Sequence, residues 1–155
     1  MTSLQKKTKG FTLVELLVVI VIIAILATLV IVVVAGATKR ARDNQRQTDV
    51  AAIESVLQAY YADNGNYPTL ANLQDPSWVD TNLKGLDPDS LVDPKTPAAD
   101  VTSSATGILG TANATHYGYS VEPAGCDNST NPCDNFTLTA KLENSSDDFV
   151  KESHN

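Results

Sequence analysis

Histidine occurs only at positions 116 and 154, and cysteine only at 126 and 133. No glycine-rich phosphate loop, no Ser-His-Asp set and no metal-ligand spacing can be assembled from what remains. The chain is therefore expected not to be an enzyme and to need no cofactor. Positive charge is also scarce where a soluble domain would carry it. Beyond Arg46 only Lys84, Lys95, Lys141 and Lys151 face sixteen Asp and Glu. That acidic surplus argues against nucleic acid as a direct partner. Aromatics make up 6% of the 155 residues, so the polar part can build only a small core and needs a cross-link, a packed helix or other copies to support it.

What is abundant is concentrated at one end. Residues 11–37 (FTLVELLVVIVIIAILATLVIVVVAGA) are apolar throughout, with Glu15 as the single charge. About 27 residues at 1.5 Å each make a helix of roughly 40 Å, longer than a bilayer core of ~30 Å. The run is too long for the apolar region of an ordinary secretory signal, and no small-residue cleavage site follows it. Lys6, Lys7 and Lys9 precede it and Lys39, Arg40, Arg42 and Arg46 follow, so counting basic flanks does not orient it. A plain signal anchor is one reading. Glu15 favours another, because a carboxylate in a bilayer costs several kcal/mol unless something compensates it. Its position near the helix N-terminus gives partial relief. Full relief calls for a positive partner.

The stretch Lys9-Gly10-Phe11-Thr12-Leu13-Val14-Glu15-Leu16-Leu17, followed by the apolar run, resembles the leader and N-terminus of type IV pilins and type II secretion pseudopilins. The resemblance is most specific over residues 6–35. It implies that a prepilin peptidase cuts after Gly10, removing the leader 1–10, and methylates the new N-terminus at Phe11. Glycine suits the residue before the cut, since it lets the backbone lie close against a protease. The resemblance further implies that Glu15 pairs with the Phe11 ammonium of a neighbouring subunit in a helical filament, fixing register because any other offset leaves buried charges unpaired. Many such proteins carry Gly and Pro inside this helix. Ala24 and Val32 stand there instead, which predicts a more continuous helix with Gly36 as its weak point.

The expected fold is α+β, a pilin-like ladle. A long N-terminal helix (transmembrane over 11–37, amphipathic over 38–65) packs on a small antiparallel sheet in a head spanning 66–155. Val50, Ile53, Leu57 and Tyr60 recur at helical spacing as the docking stripe, while Arg42, Asp43, Arg46 and Asp49 read as a solvated face. Asn64-Gly65 ends the helix, and the tyrosines at 60, 61 and 67 pack on the head. Residues 66–115 read as a loop punctuated by Asp75-Pro76, Asp87-Pro88 and Asp93-Pro94, pinned to the core by Trp78-Val79. Strands are expected at about 116–121 and 135–143, and 144–155 as a frayed polar tail.

Cys126 and Cys133 form a close, even pair without histidines, in a head expected outside the membrane, and read as a disulfide-closed loop. Asp127, Asp134 and Asn135 are weak calcium candidates there, as are Asp87, Asp89 and Asp93 in the preceding loop. Asn113, Asn128, Asn135 and Asn144 each begin an N-x-S/T sequon.

The functional expectation drawn from the resemblance is a structural pilin of an extracellular type IV pilus. The alternative is a pseudopilin of a type II secretion or competence system. The expected partners are further copies of the chain, the prepilin peptidase, an assembly ATPase with its platform protein, the inner membrane, and a host or other surface for adhesion. The subunit would wait as a single-pass protein of the cytoplasmic membrane with its head outside. The disulfide and long loop lean towards the pilus, and the Asn-Gly-Asn-Tyr-Pro turn leans towards the pseudopilin.

Overall fold

No proline interrupts the chain between Leu13 and Asn64, and in the computed structural model these residues form a single helix, α1 (Leu13–Asn64). The structure describes residues 10–97, 100 and 106–154, so the leader lysines Lys6, Lys7 and Lys9 lie outside the described residues. The chain divides into two compact units at Thr38 and Lys39.

In the first unit the helix is apolar on every side, with a mean hydropathy of 3.7 over its most apolar window and none of that window buried. The Thr28 hydroxyl donates to the Ile25 carbonyl at 2.7 Å and Thr38 to Val34 at 2.9 Å. The two hydroxyls are thus satisfied within the helix, as an apolar medium requires. The helix runs unbroken through Ala24 and Gly36.

In the second unit the remainder of α1 packs on a four-stranded sheet through Val50, Ile53 and Leu57, all fully buried. The strands are β1 (Ile108–Leu109), β2 (Tyr117–Glu122), β3 (Asn135–Ala140) and β4 (Phe149–Glu152), in that spatial order. Phe136, Leu138 and Ala140 of β3 alternate into the core. Tyr117 and Tyr119 of β2 join them. The aromatics knit the helix exit to the sheet. Tyr67 stacks on Tyr61 at 4.5 Å and meets the edge of Phe136 at 4.8 Å. Gly65 ends α1 with φ at 73°, a conformation glycine adopts without penalty.

Three expectations need correction. The sheet is mixed, not wholly antiparallel: β2–β3 and β3–β4 are antiparallel, but β1 runs parallel to β2. Gly118 makes this possible. A side chain there would meet the Ala112 nitrogen at 2.4 Å, so the loop leaving β1 can fold back against β2 only where Cβ is missing. The described part of 66–115 is also more regular than a loop. It contains α2 (Leu70–Gln74), α3 (Pro76–Asn82) and a 3-10 turn (Pro88–Leu91). Thr69 caps α2 in a reciprocal box with Asn72, and the Asp75 carboxylate accepts from Ser77 and Trp78 at the start of α3. Lastly, 149–152 of the expected tail is the edge strand β4, registered on β3 from Ala140↔Phe149 to Thr137↔Glu152. Trp78 packs on Tyr60 at 5.5 Å and Val79 is buried, so this pair does pin its segment to the core.

Cys126 and Cys133 are disulfide-bonded. The loop they close docks on the helix exit: the Asn128 amide donates to the Tyr67 carbonyl at 2.7 Å, and Tyr67 N–H donates to the Cys133 carbonyl at 2.8 Å. Closing so short a loop stabilises by about 2 kcal/mol. A double variant, Cys126→Ser with Cys133→Ser, should lose about that amount in urea unfolding followed by Trp78 fluorescence. Reduction of the parent protein should give the same shift. Equal midpoints for parent and variant would show that the loop holds its place without the bond.

Candidate assembly site

The chain enters α1 through a Thr-x-x-Glu sequence. The Thr12 N–H and hydroxyl both donate to Glu15 Oε2 at 2.9 Å, while Glu15 N–H donates to the Thr12 hydroxyl at 3.2 Å. This is a capping box, which satisfies two donors that the helix itself cannot reach. The sequence signal for it is Thr three residues before Glu. Both Thr12 donors converge on Oε2, and Oε1 has no partner among the described residues. Gly10 is exposed and a side chain there would meet nothing within 4 Å, while Phe11 is 87% exposed. The three residues expected to carry processing and assembly thus lie in one exposed stretch, Gly10 and Phe11 ahead of α1 and Glu15 in its first turn. From there to Val34 the large apolar side chains described are exposed.

In the second unit the first turns of α1 carry a different device. Asp43, Arg46 and Asp49 were expected on a solvated face, but all three are buried, Arg46 completely. Arg46 binds Asp93 through two nitrogens at 2.6 and 3.0 Å. It also reaches Asp43 at 2.9 Å and Glu143 at 3.1 Å. Arg42 grips Glu143 with a second bidentate pair at 2.6 and 2.7 Å. Asp43 accepts from the Glu143 and Asn144 backbone N–H groups and from the Asn144 amide. The network clamps the helix to the 93–95 turn and to the chain just after β3. Asp49 completes the polar layer, accepting from Tyr117 at 2.8 Å and from Gln45 at 2.7 Å.

These contacts set the electrostatics. Hydrogen bonds from Arg42 hold the Glu143 carboxyl down at about 2, against a smaller opposing effect of burial and helped by Arg46. Burial works against the Asp43 carboxylate, but the donors of Glu143, Asn144 and Arg46 outweigh it and leave its pKa lowered. Asp49 goes the other way: its burial outweighs the bonds from Tyr117 and Gln45 and raises it. The spacing held a clue. Positions 43, 46, 50, 53 and 57 advance by three and four, so Asp43 and Arg46 extend the buried stripe of Val50, Ile53 and Leu57.

Most of the calcium candidates have partners other than a cation. The Asp127 carboxylate accepts from the backbone of Ser129, Thr130 and Asn131, which pulls its pKa well down. Asn135 accepts from the Ser153 hydroxyl at 2.9 Å, and Asp134 N–H donates to the Glu122 carbonyl at 2.8 Å. Asp93 is taken by Arg46, while Asp87 caps the 3-10 turn. Among the described residues no three acidic, His or Cys groups gather as a metal site. Of the sequons, Asn128 is spent structurally, donating to Tyr67 and accepting from Cys133 N–H at 2.8 Å. Asn113 is exposed, while Asn144, though exposed, commits its amide to Asp43 at 2.7 Å.

Residues 5–31 match the prokaryotic N-terminal methylation motif. The chain is 41% identical over 66 residues to the type II secretion system core protein G of Dickeya chrysanthemi, covering 43% of each chain. It is 44% identical over 63 residues to the Escherichia coli K12 protein of that name, covering 41% of this chain and 43% of the relative. The Vibrio cholerae O1 counterpart is 42% identical over 69 residues, covering 44% of this chain and 47% of the relative. The chain thus spans less than half the length of the curated relatives it matches. No solved structure matches it. The chain therefore carries an N-methylation motif at residues 5–31 and is similar to core protein G over part of its length.

The clamp has a signed acid dependence. Glu143 and Asp43 titrate lower in the folded state than in the unfolded chain, so the stability they contribute is complete above about pH 4.5. It is lost as the pH falls through about 4.5 towards 2. Glu143→Gln should flatten the fall in thermal midpoint over that window, measured by circular dichroism at closely spaced pH values. An undiminished acid slope in the variant would remove Glu143 from the clamp's titration.

Proposed function

We propose that this chain is a structural filament subunit of the pseudopilin kind, working in a type II secretion-like assembly. The sequence reading preferred an extracellular pilus. The relatives shift the weight to the alternative, since each of those described carries the name of a type II secretion core protein. The observation that carries the subunit role is the start of α1: a lone carboxylate, Glu15, capped by Thr12, five residues after an exposed Gly10 and within a methylation motif, in an apolar helix with no cover of its own.

In this reading the precursor waits in the cytoplasmic membrane with 11–37 as its span and the head outside. A prepilin peptidase cuts after Gly10 and methylates Phe11. The cut leaves the Phe11–Thr12 peptide intact, so the capping box survives it. What changes is one new ammonium at Phe11. Thr12 keeps Oε2 of Glu15 occupied and aimed, leaving Oε1 to receive the ammonium of a neighbouring copy. Two unit charges 3–4 Å apart in apolar surroundings attract strongly, and desolvation cancels much of the gain. The pair therefore contributes register more than net affinity. The apolar helices then cover one another as subunits leave the membrane, driven by an assembly ATPase and platform protein. The chain performs no chemistry of its own.

Intact-mass analysis of the processed protein should give a chain beginning at N-methyl-Phe11. An unprocessed start in the functional protein would return the simple anchor. Glu15→Ala should leave insertion and cleavage unchanged and reduce filament yield at least tenfold in sheared-fraction immunoblots. Thr12→Val, which keeps the charge but removes the hydroxyl, should fall between parent and Glu15→Ala. Normal yield from Glu15→Ala would refute the pairing. Long, abundant surface fibres at native expression would favour the pilus over the secretion subunit.

A further inference from the structure

Four cations follow the apolar run, and the fold sorts them into two pairs. Arg42 and Arg46 are neutralised by Glu143, Asp43 and Asp93. Lys39 and Arg40 are exposed, and neither side chain has a hydrogen bond or ion pair among the described residues. They sit two and three residues beyond Ala37, in the same helix as the apolar run. They are also the last unpaired cations before a stretch whose acidic residues outnumber its basic ones sixteen to four.

We propose that Lys39 and Arg40 are a docking surface for the phosphates of anionic phospholipids, on the membrane face where the head emerges. The inference rests on the membrane-spanning reading of 11–37. An apolar helix of roughly 40 Å exceeds the ~30 Å hydrocarbon core and nearly equals the 40–45 Å that includes both headgroup layers. Residues 39 and 40 therefore fall at headgroup depth, where long basic side chains lay their stems along lipid and put their charge on phosphate. The charge balance favours such a pair. A strongly acidic head standing on an anionic surface is repelled, and two local cations offset that repulsion within a Debye length. Arg42 and Arg46 cannot serve, because the clamp already holds them.

The test uses the full-length chain reconstituted in vesicles of phosphatidylcholine and phosphatidylglycerol, with Ala41→Trp as reporter and Trp78→Phe to remove the native signal. Quenching by brominated phosphatidylglycerol is compared with quenching by brominated phosphatidylcholine at equal mole fraction. The expected result is local enrichment of the anionic lipid, about fivefold for each cation at low salt. It should collapse to parity in Lys39→Gln with Arg40→Gln, and weaken in high salt. Lys84→Gln, which removes an exposed cation remote in sequence from the span, should leave the enrichment unchanged. Equal quenching by the two lipids in the parent protein would overturn the proposal while leaving the span intact, provided the chain resists alkaline carbonate extraction. A chain extracted by carbonate would instead overturn the span reading itself. Loss of filament yield in the double variant, without any lipid preference in the parent, would assign the pair to a neighbouring copy and overturn lipid docking.

Discussion

An apolar side chain in water is a debt that the rest of a fold must settle, and the first unit of this protein has nothing with which to settle it. From Phe11 to Val34 the large hydrophobic side chains described are roughly half to nine-tenths exposed. Covering a Val, Leu or Ile is worth about 1.5–3 kcal/mol. Over such a run the total is tens of kcal/mol, more than the ~5–15 kcal/mol that holds a typical domain together. No rearrangement of the small acidic head can supply that. Lipid can, and so can the same helix in other copies. Both environments are apolar, so moving from one to the other leaves the hydrophobic term almost unchanged. What then distinguishes one helix offset from another must be polar, and Glu15 is the only charge in the segment.

The second unit solves a different problem with the same helix. Its small core places Val50, Ile53 and Leu57 against β2 and β3, and then the buried stripe continues towards the N-terminus in charged residues. Replacing leucines by an Arg46-centred cluster gains little net stability, because desolvating the ions offsets most of their attraction. It gains specificity instead. Leucines would tolerate a helix slid or rotated by one turn, whereas two bidentate arginine grips and an aspartate taking three donors from Glu143 and Asn144 do not. The helix is fixed to the 93–95 turn and the β3 exit in one arrangement. The cations of this stretch that the cluster does not use, Lys39 and Arg40, remain available outside it.

Much of this was legible in the residues, and what was not has identifiable causes. The β3 alternation, the apolar run, the Cys pair and the Asn64-Gly65 stop each depend on local pattern and are found in the structure, though β3 ends at Ala140, short of the expected 143. The Asp-Pro pairs were read as turns because both residues favour turns; in α3 they act as N-cap and first helical residue, a distinction set by the apolar Trp78-Val79 that follows. β4 escaped notice because Phe149–Glu152 half-buries only one face, so its pattern is weak and its identity comes from pairing with β3. β1 has two residues and no period at all. The Arg46 cluster was misread for a more basic reason. Charged residues spaced like a core stripe look like a solvated face until the partners, Asp93 and Glu143, arrive from 47 and 97 residues away.

In the proposed reading, one carboxylate, Glu15, serves both the monomer and the assembly. Alone in an apolar medium it would be a liability, yet the capping box gives Oε2 two donors from its own chain before any neighbour is present. A precursor of the proposed kind would therefore not carry an orphaned charge of full cost. The same two bonds hold the carboxylate in one orientation, so the oxygen left over is already directed when a cation becomes available. Preorganisation of this kind removes part of the entropy that pairing would otherwise cost. It also explains why threonine, and not simply any helix former, suits position 12: its hydroxyl both donates to the carboxylate and accepts from Glu15 N–H, which alanine or valine cannot do.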